Sequence, residues 1–282
     1  MDILSHGHSI PSSAGVTSPA VTRLREELSG FELGRFLLEN LGLNGHWTSY
    51  VLLYPERGAL TRLSSDGTPL GELEAWLLDR CPILLATQQR FRLMRELTQS
   101  LLRPGMQLAS LPSGLMDDLL TLDYAASAGV SLTAIDLDAA ALEGALRNHH
   151  EHNPTVPMAC EQRDAWQLGS QERWDLLTSN GLNIYVDDDQ RCTAFYRQVA
   201  QALRPGGLFI VSFITPPDHW QPHSRADLEQ QRLLFQDVLP VRWSCHRDER
   251  TTRAQLIEAG FEVLSVHVDD QRMFPAVLAR KR

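Results

Sequence analysis

Met106-Gln107-Leu108-Ala109-Ser110-Leu111 is a short, mostly apolar run that opens directly onto Pro112-Ser113-Gly114-Leu115-Met116-Asp117-Asp118. A second run, Ser131 to Ile135, ends on Asp136-Leu137-Asp138. Short apolar runs that stop at turn residues and acids read as strands buried on both faces. Three more follow, Val156 to Cys160, Trp174 to Leu177 and Leu208 to Ile214, with amphipathic stretches such as Ala139 to His149 and Arg191 to Leu203 between them. Strand and helix alternating at this spacing predict a parallel sheet with helices on both faces. Two last runs, near Phe261 to Val268 and Met273 to Ala279, predict a closing antiparallel hairpin. The expected fold class is therefore α/β: a doubly wound, mostly parallel seven-stranded sheet.

Upstream of Arg103-Pro104-Gly105 the texture is different. Residues 1–20 are rich in Ser, Pro, Gly and Ala without hydrophobic periodicity and are expected to form a flexible tail. From Val21 to about Leu102 the apolar residues recur at helical spacing: Phe31, Leu33, Phe36, Leu37 and Leu41, then Leu73, Trp76 and Leu77, then Phe91, Met94, Leu97 and Leu101. The expected organisation is a tail at 1–20, a helical domain at 21–102 and the α/β domain at 103–282.

Composition narrows the function. The 282 residues are 43% hydrophobic and 22% charged, which excludes a collagen, a coiled coil or a disordered chain. A formal charge of -9 repels phosphate backbones and anionic headgroups, so neither nucleic acid nor a membrane surface is expected as a partner. The only lysine is Lys281, which removes Schiff-base and phosphate-loop lysines from consideration. Cys81, Cys160, Cys192 and Cys245 are too far apart for a zinc knuckle or a redox dithiol and read as reduced thiols. With neither a signal-peptide core nor an apolar membrane span, a soluble cytoplasmic protein is expected. His149-His150-Glu151-His152 ends a predicted helix, where imidazoles complement the terminus; no metal is expected.

Ligands of such sheets bind at the carboxyl ends of the central strands, where the strand order reverses. Gly114 and Asp136 are 22 residues apart, close to the spacing between a nucleotide-binding turn and the carboxylate that grips both ribose hydroxyls. The later strand ends carry Arg163-Asp164-Ala165-Trp166, then Thr178-Ser179-Asn180-Gly181; beyond them lie Leu203-Arg204-Pro205-Gly206-Gly207 and Ala259-Gly260-Phe261. In order and spacing these segments resemble the class I S-adenosylmethionine-dependent methyltransferase superfamily from about Gln107 to the C-terminus.

The resemblance implies a Rossmann-like domain with S-adenosylmethionine as cosubstrate or sole substrate. It places Asp136 on the ribose hydroxyls, Asp164 on the adenine amine, Leu137 and Trp166 beside the adenine ring with Ala165 between these contacts, and the turn from Ser110 through Pro112 to Gly114 around the methionine end. The chain departs from the family there. Where members carry an acid followed by G-x-G-x-G, this sequence has Ser110, then Pro112, Gly114 and Met116. Asn180 and Tyr185 fall where the family faces the sulfonium and are the catalytic candidates. Asn180 could orient an amine or hydroxyl, and Tyr185 could offer a hydroxyl or a ring face. Leu43-Asn44-Gly45-His46-Trp47-Thr48-Ser49-Tyr50 reads as a lid over the cofactor, with Tyr50 a third candidate. His219 and His223 lie in the loop after the fifth strand, where a base could stand.

The leading expectation is methyl transfer to a small-molecule amine or hydroxyl in secondary metabolism. The altered methionine-end turn leaves open a second chemistry, resembling azetidine-2-carboxylate synthases, in which the cofactor's amine attacks its own γ-carbon and methylthioadenosine leaves. A non-catalytic S-adenosylmethionine-binding protein is the third reading. Neither the oligomeric state nor the pathway is written in the sequence.

Overall fold

The computed structural model describes residues 18–241 and 245–282. Most of the expected tail lies outside them. The described chain starts at Ser18, whose hydroxyl accepts from the Ala20 amide (3.3 Å) and caps the first helix, with Pro19 in its first turn. The helix thus begins before the expected boundary at residue 21.

Among the described residues six helices precede the sheet: α1 (Pro19–Ser29), α2 (Glu32–Asn40), α3 (Gly45–Leu53), α4 (Gly58–Thr61), α5 (Glu72–Asp79) and α6 (Pro82–Leu101). Then follow β1 (Gln107–Ser110), α7 (Asp117–Leu120), β2 (Ser131–Asp136), α8 (Ala139–His152), β3 (Met158–Gln162), β4 (Trp174–Ser179), α9 (Asp189–Ala202) and β5 (Leu203–Ser212). α10 (Arg225–Arg232), α11 (Glu249–Glu258), β6 (Phe261–His267) and β7 (Ala276–Lys281) complete the chain. The seven strands run in the order β3-β2-β1-β4-β5-β7-β6, parallel except for β7, which is antiparallel to both neighbours. The expected doubly wound, seven-stranded sheet with its closing hairpin is what forms.

Strand alternation sorts the side chains into two layers. Leu108, Ala134, Leu176, Ile210 and Leu278 face one way and pack with Met94 of α6, Leu119 of α7 and Leu142 and Ala145 of α8. Their neighbours Ala109, Ile135, Leu177, Phe209 and Ala279 face the other way, onto Phe195 and Val199 of α9 and Leu256 of α11. Both faces are therefore covered, which is why β1, β2 and β4 read as unbroken apolar runs. The strand order reverses between β1 and β4, whose register pairs Ser110 with Thr178, so the crevice for a ligand opens beyond those two residues.

The helical layer over that crevice is not made from the N-terminal segment alone. Residues 225–239 return to it: Leu234, Phe235, Val238 and Leu239 share one core with Leu28, Leu33, Trp47, Val51, Trp76 and Leu77. Buried polar bonds stitch the two segments together. Trp76 Nε1 donates to Asp227 Oδ1 (2.8 Å), and the amide of Ile83 donates to Gln231 Oε1 (2.7 Å). A division of the sequence at residue 103 does not anticipate this, because the pairing is between segments some 150 residues apart. No described helix is long and apolar enough to cross a membrane.

Candidate active site

The turn after β1 is shaped by its backbone. The Leu111-Pro112 peptide is cis, and the Ser113 amide donates to the carbonyl of Ile135 (2.8 Å), tying the turn to the end of β2. Gly114 then takes φ +51° and Met116 φ +61°. A left-handed conformation thus falls where the G-x-G-x-G pattern has its last glycine, although a methionine occupies it, at a cost of roughly 1 kcal/mol. Met116 is fully buried in the layer formed by α6, α7 and α8, and that packing offsets the cost. Gly114 faces another glycine: a Cβ on Gly45 would stand 3.3 Å from Gly114 Cα and 3.1 Å from Leu115 Cδ1. The first turn of α3 therefore lies directly on the nucleotide turn, and a side chain on Gly45 would force Leu115 or Gly114 to shift.

Three carboxylates gather where the turn meets the strand ends. Asp136 is 9% exposed; its Oδ2 accepts from the Gly114 amide (2.9 Å) and its Oδ1 from the Asp138 amide (3.0 Å). Burial raises its carboxyl above the ordinary range, and those two amides oppose the rise. Asp118 accepts from the hydroxyls of Ser110 (3.0 Å) and Thr178 (2.5 Å), both on Oδ2. Burial pushes Asp118 up to about 6, against the stabilising pull of the same hydroxyls. Asp117 accepts from Asn148 Nδ2 (2.9 Å). The acid that the family places at the end of β1 is thus displaced to the start of α7, and Ser110 hydrogen-bonds to it.

A cavity of about 220 Å³ lies above these groups. Ser110, Pro112, Ser113, Gly114, Asp117, Asp118, Asp136, Asn180 and Tyr185 line it from the sheet side. Asn44, Gly45, Thr48 and Leu52 from the α3 region and Ile83, Thr87, Arg90 and Phe91 of α6 line it from the helical side. Asn180 Oδ1 is buried there without a hydrogen-bond partner, and Tyr185, 47% exposed, stands at the border. The lid segment does reach the cavity, through Asn44 and Gly45, with Asn44 Oδ1 capping α3 at the Trp47 amide (3.0 Å).

Several sequence candidates are placed elsewhere. Tyr50 is not among the lining residues. Its hydroxyl donates to Glu74 Oε1 (3.0 Å) and its ring meets Trp47 edge-on at 5.5 Å, so the aromatic cluster is packing inside the helical layer. Asp164, Ala165, Trp166 and Leu137 also lie outside the lining. Asp164 Oδ1 accepts from the Trp166 amide (2.9 Å), the Trp166 indole donates to the carbonyl of Arg191 (2.9 Å), and Leu137 projects into solvent, 53% exposed. His219 and His223 do not line the cavity either, and His149 Nε2 bonds the carbonyl of Val156 (2.7 Å) at the end of α8. Sequence reasoning did not assign Asp118, Thr87, Arg90 or Phe274. For Arg90 a signal exists: it falls on the apolar face of α6 set by Ile83, Ala86, Thr87 and Met94, where a cation has no structural reason to be.

A methyltransferase-domain family matches residues 119–207. Residues 119–207 are thus a methyltransferase domain, and the strand order, the acid ending β2 and the glycine turn against it are those of a Rossmann-like methyltransferase fold. Among solved structures the chain is similar to a possible exported protein from Bordetella parapertussis. That similarity is 42% identity over 93% of this chain and 87% of that one, with a TM-score of 0.85. Magnesium protoporphyrin IX methyltransferase from Synechocystis, with S-adenosylhomocysteine bound, shares the fold at 12% identity, covering 83% of this chain and 97% of that one (TM-score 0.56). The S-adenosylmethionine-dependent methyltransferase SibL does so at 18%, over 71% and 56% (TM-score 0.54). No protein of curated function matches the sequence.

Proposed function

We propose that this chain is an S-adenosylmethionine-dependent transferase acting on a small molecule in this cavity, with methyl transfer to an amine or hydroxyl as the reaction. The observation that carries the reading is that strand ends and N-terminal helices wall one cavity of about 220 Å³, with Gly45 packed against Gly114. A space of that size suits a small molecule rather than a polymer. S-adenosylmethionine supplies an electrophilic methyl group on its sulfonium.

The chain's residues fit such a ligand. Asp136 keeps lone pairs free on both oxygens after its two amide bonds, enough to take two ribose hydroxyls. Ser110, Pro112 and Gly114 form the floor under the methionine end, and Asp118 supplies the carboxylate for its amine. Asp164, Ala165, Trp166 and Leu137 are left for an adenine that extends beyond the cavity along the rim. Asn180 Oδ1, buried and unpartnered, accepts the proton-bearing group of the acceptor and turns its lone pair toward the methyl. Positioning of this kind supplies roughly 7 to 11 kcal/mol of a displacement barrier. The reading extends to a cytoplasmic enzyme of secondary metabolism.

A specific observation favours the second chemistry as well. Asp118, pushed up to about 6, is a buried base beside the turn expected to hold the cofactor's amine. It could take a proton from that amine, whose nitrogen would bond to the γ-carbon while the carbon–sulfur electron pair leaves with methylthioadenosine.

Incubation with S-adenosylmethionine alone, then with candidate amines and alcohols, separates the readings by the nucleoside released. S-adenosylhomocysteine formed only when an acceptor is present is the expected result. Methylthioadenosine formed without an acceptor would replace methyl transfer by cyclisation, and release of neither nucleoside would leave a binding protein.

A further inference from the structure

Arg90 is the one charged side chain among the described lining residues of the cavity with buried polar atoms that the fold leaves without a partner. It sits in the middle of α6, is 4% exposed, and lines the cavity opposite the strand ends. Its guanidinium lies over the Phe274 ring at 4.5 Å, and a Cβ on Gly181 would stand 3.3 Å from its Nη1. It is therefore held between the end of β4 and the segment leading into β7. Its Nε and Nη1 are buried without a hydrogen-bond partner. Asp269 is near enough to influence its charge, but that carboxylate is already engaged, accepting from the amides of Gln271 (3.0 Å) and Phe274 (2.6 Å). Among the described residues no carboxylate forms an ion pair with Arg90, although arginines across the surface do find partners.

A buried cation without a partner costs several kcal/mol, so an unpaired one facing a cavity calls for an anion that the chain itself does not provide. The cavity's composition says which anion. Arg90 is its only cation among the described lining residues, and Asp117, Asp118 and Asp136 stand on the other wall. A dianionic phosphate would meet too little positive charge and too much negative. A planar monoanion matches the guanidinium fork in geometry and in charge. The ring of Phe274 holds one face of the guanidinium, leaving its edge for an in-plane bond.

We propose that Arg90 is the carboxylate-binding residue of this cavity, pairing with a carboxylate of the bound ligand. The inference rests on the reading of the cavity as an S-adenosylmethionine site. Two ligands could bring the carboxylate, the cofactor through its methionyl arm or the acceptor.

Calorimetric titration tests this with S-adenosylhomocysteine, with methylthioadenosine, which lacks the amino-acid arm, and with benzoate added to the S-adenosylhomocysteine complex. If the cofactor brings the carboxylate, Arg90→Met weakens S-adenosylhomocysteine by roughly 10- to 100-fold and leaves methylthioadenosine unchanged. If the acceptor brings it, both nucleosides bind the variant as before and benzoate binds only the wild-type complex. Unchanged titrations with all three probes, or equal weakening of both nucleosides, overturn the proposal. Wild-type protein that binds neither nucleoside overturns the cofactor reading beneath it. Decarboxylated S-adenosylhomocysteine on the wild-type protein repeats the first arm without a variant: it should bind roughly 10-fold or more weakly than the parent, and equal affinity refutes the cofactor arm.

Discussion

The two walls of the cavity hold their charged groups in opposite ways. On the sheet side each carboxylate has donors before any ligand arrives: Asp136 from Gly114 and Asp138, Asp118 from Ser110 and Thr178, Asp117 from Asn148. On the helical side Arg90 is just as buried and has none for Nε and Nη1. The sheet wall is built by short-range geometry, since a turn and the strand ends beside it bring donors to acceptors as they form. The helical wall is brought to the site from elsewhere in the chain, and its charge is answered only by what enters. A ligand finds its sugar-side partners preorganised, while the opposite wall gains its missing counter-charge on binding.

The largest effect that would break this contrast concerns Asp118. If it is a preorganised but costly group, its burial should appear as a pH dependence of stability. Its carboxyl is raised to about 6 from an ordinary value of 3.8, so the folded protein holds that proton more tightly than the unfolded chain. The contribution is fully present below about pH 4 and is lost as pH rises through 6, about 3 kcal/mol in all. Asn can accept both hydroxyl bonds without a charge. Asp118→Asn should therefore be more stable than wild type at pH 8 by up to about 3 kcal/mol in urea unfolding, and the two should converge near pH 4. The same variant should bind S-adenosylhomocysteine less well, because the carboxylate for the amine is gone. Equal stability at both pH values would show that Asp118 titrates like a solvated acid.

How much of each wall could be read from the sequence follows the same division. The strand ends were legible because apolar runs stop where the sheet stops, so Ser110, Gly114, Asp136 and Asn180 could be placed from periodicity and spacing, and the structure brings all four to one cavity. Asp118 stood in the quoted turn, but nothing local shows that α7 swings it back under Ser110 and Thr178. The helical wall was legible only as helices. Which of their faces meets the sheet depends on residues 225–239 packing against α5 and α6, a contact with no sequence signal. That is why Tyr50, conspicuous in composition, reads as a site residue from the sequence although its hydroxyl bonds Glu74 away from the cavity lining, and why Arg90, inconspicuous among 25 arginines, does not. Asp164 and Trp166 follow β3 as expected; the structure shows their local bonds, outside the cavity lining.

A middle-sized effect sharpens the comparison at the ribose. Asp136→Ala removes an acceptor that both nucleosides would use, so it should weaken S-adenosylhomocysteine and methylthioadenosine alike, by about 1 to 3 kcal/mol in calorimetry. Arg90→Met, by contrast, should separate the two nucleosides or spare both. Undiminished affinity in Asp136→Ala would remove the ribose assignment and with it the preorganised character of the sheet wall.

The smallest effect is expected at Tyr50, where the aromatic cluster can be assigned to core or to chemistry. Its hydroxyl is one of two donors to Glu74 Oε1, the other being Ser64 Oγ at 3.0 Å, and Glu74 is 1% exposed with its carboxyl raised by burial. Tyr50→Phe keeps the ring against Trp47 and removes one of the two bonds. The buried carboxylate retains Ser64, so the loss should be about 1 kcal/mol of stability in thermal or urea unfolding. The cavity does not include Tyr50, so turnover of S-adenosylmethionine and the affinity for S-adenosylhomocysteine should both be unchanged. A tenfold fall in turnover with stability intact would bring the aromatic cluster back into the reaction and make the helical wall chemically active, not merely a cover bearing one charge. Unchanged turnover with slightly lower stability leaves Arg90 as the charged group through which that wall meets the ligand.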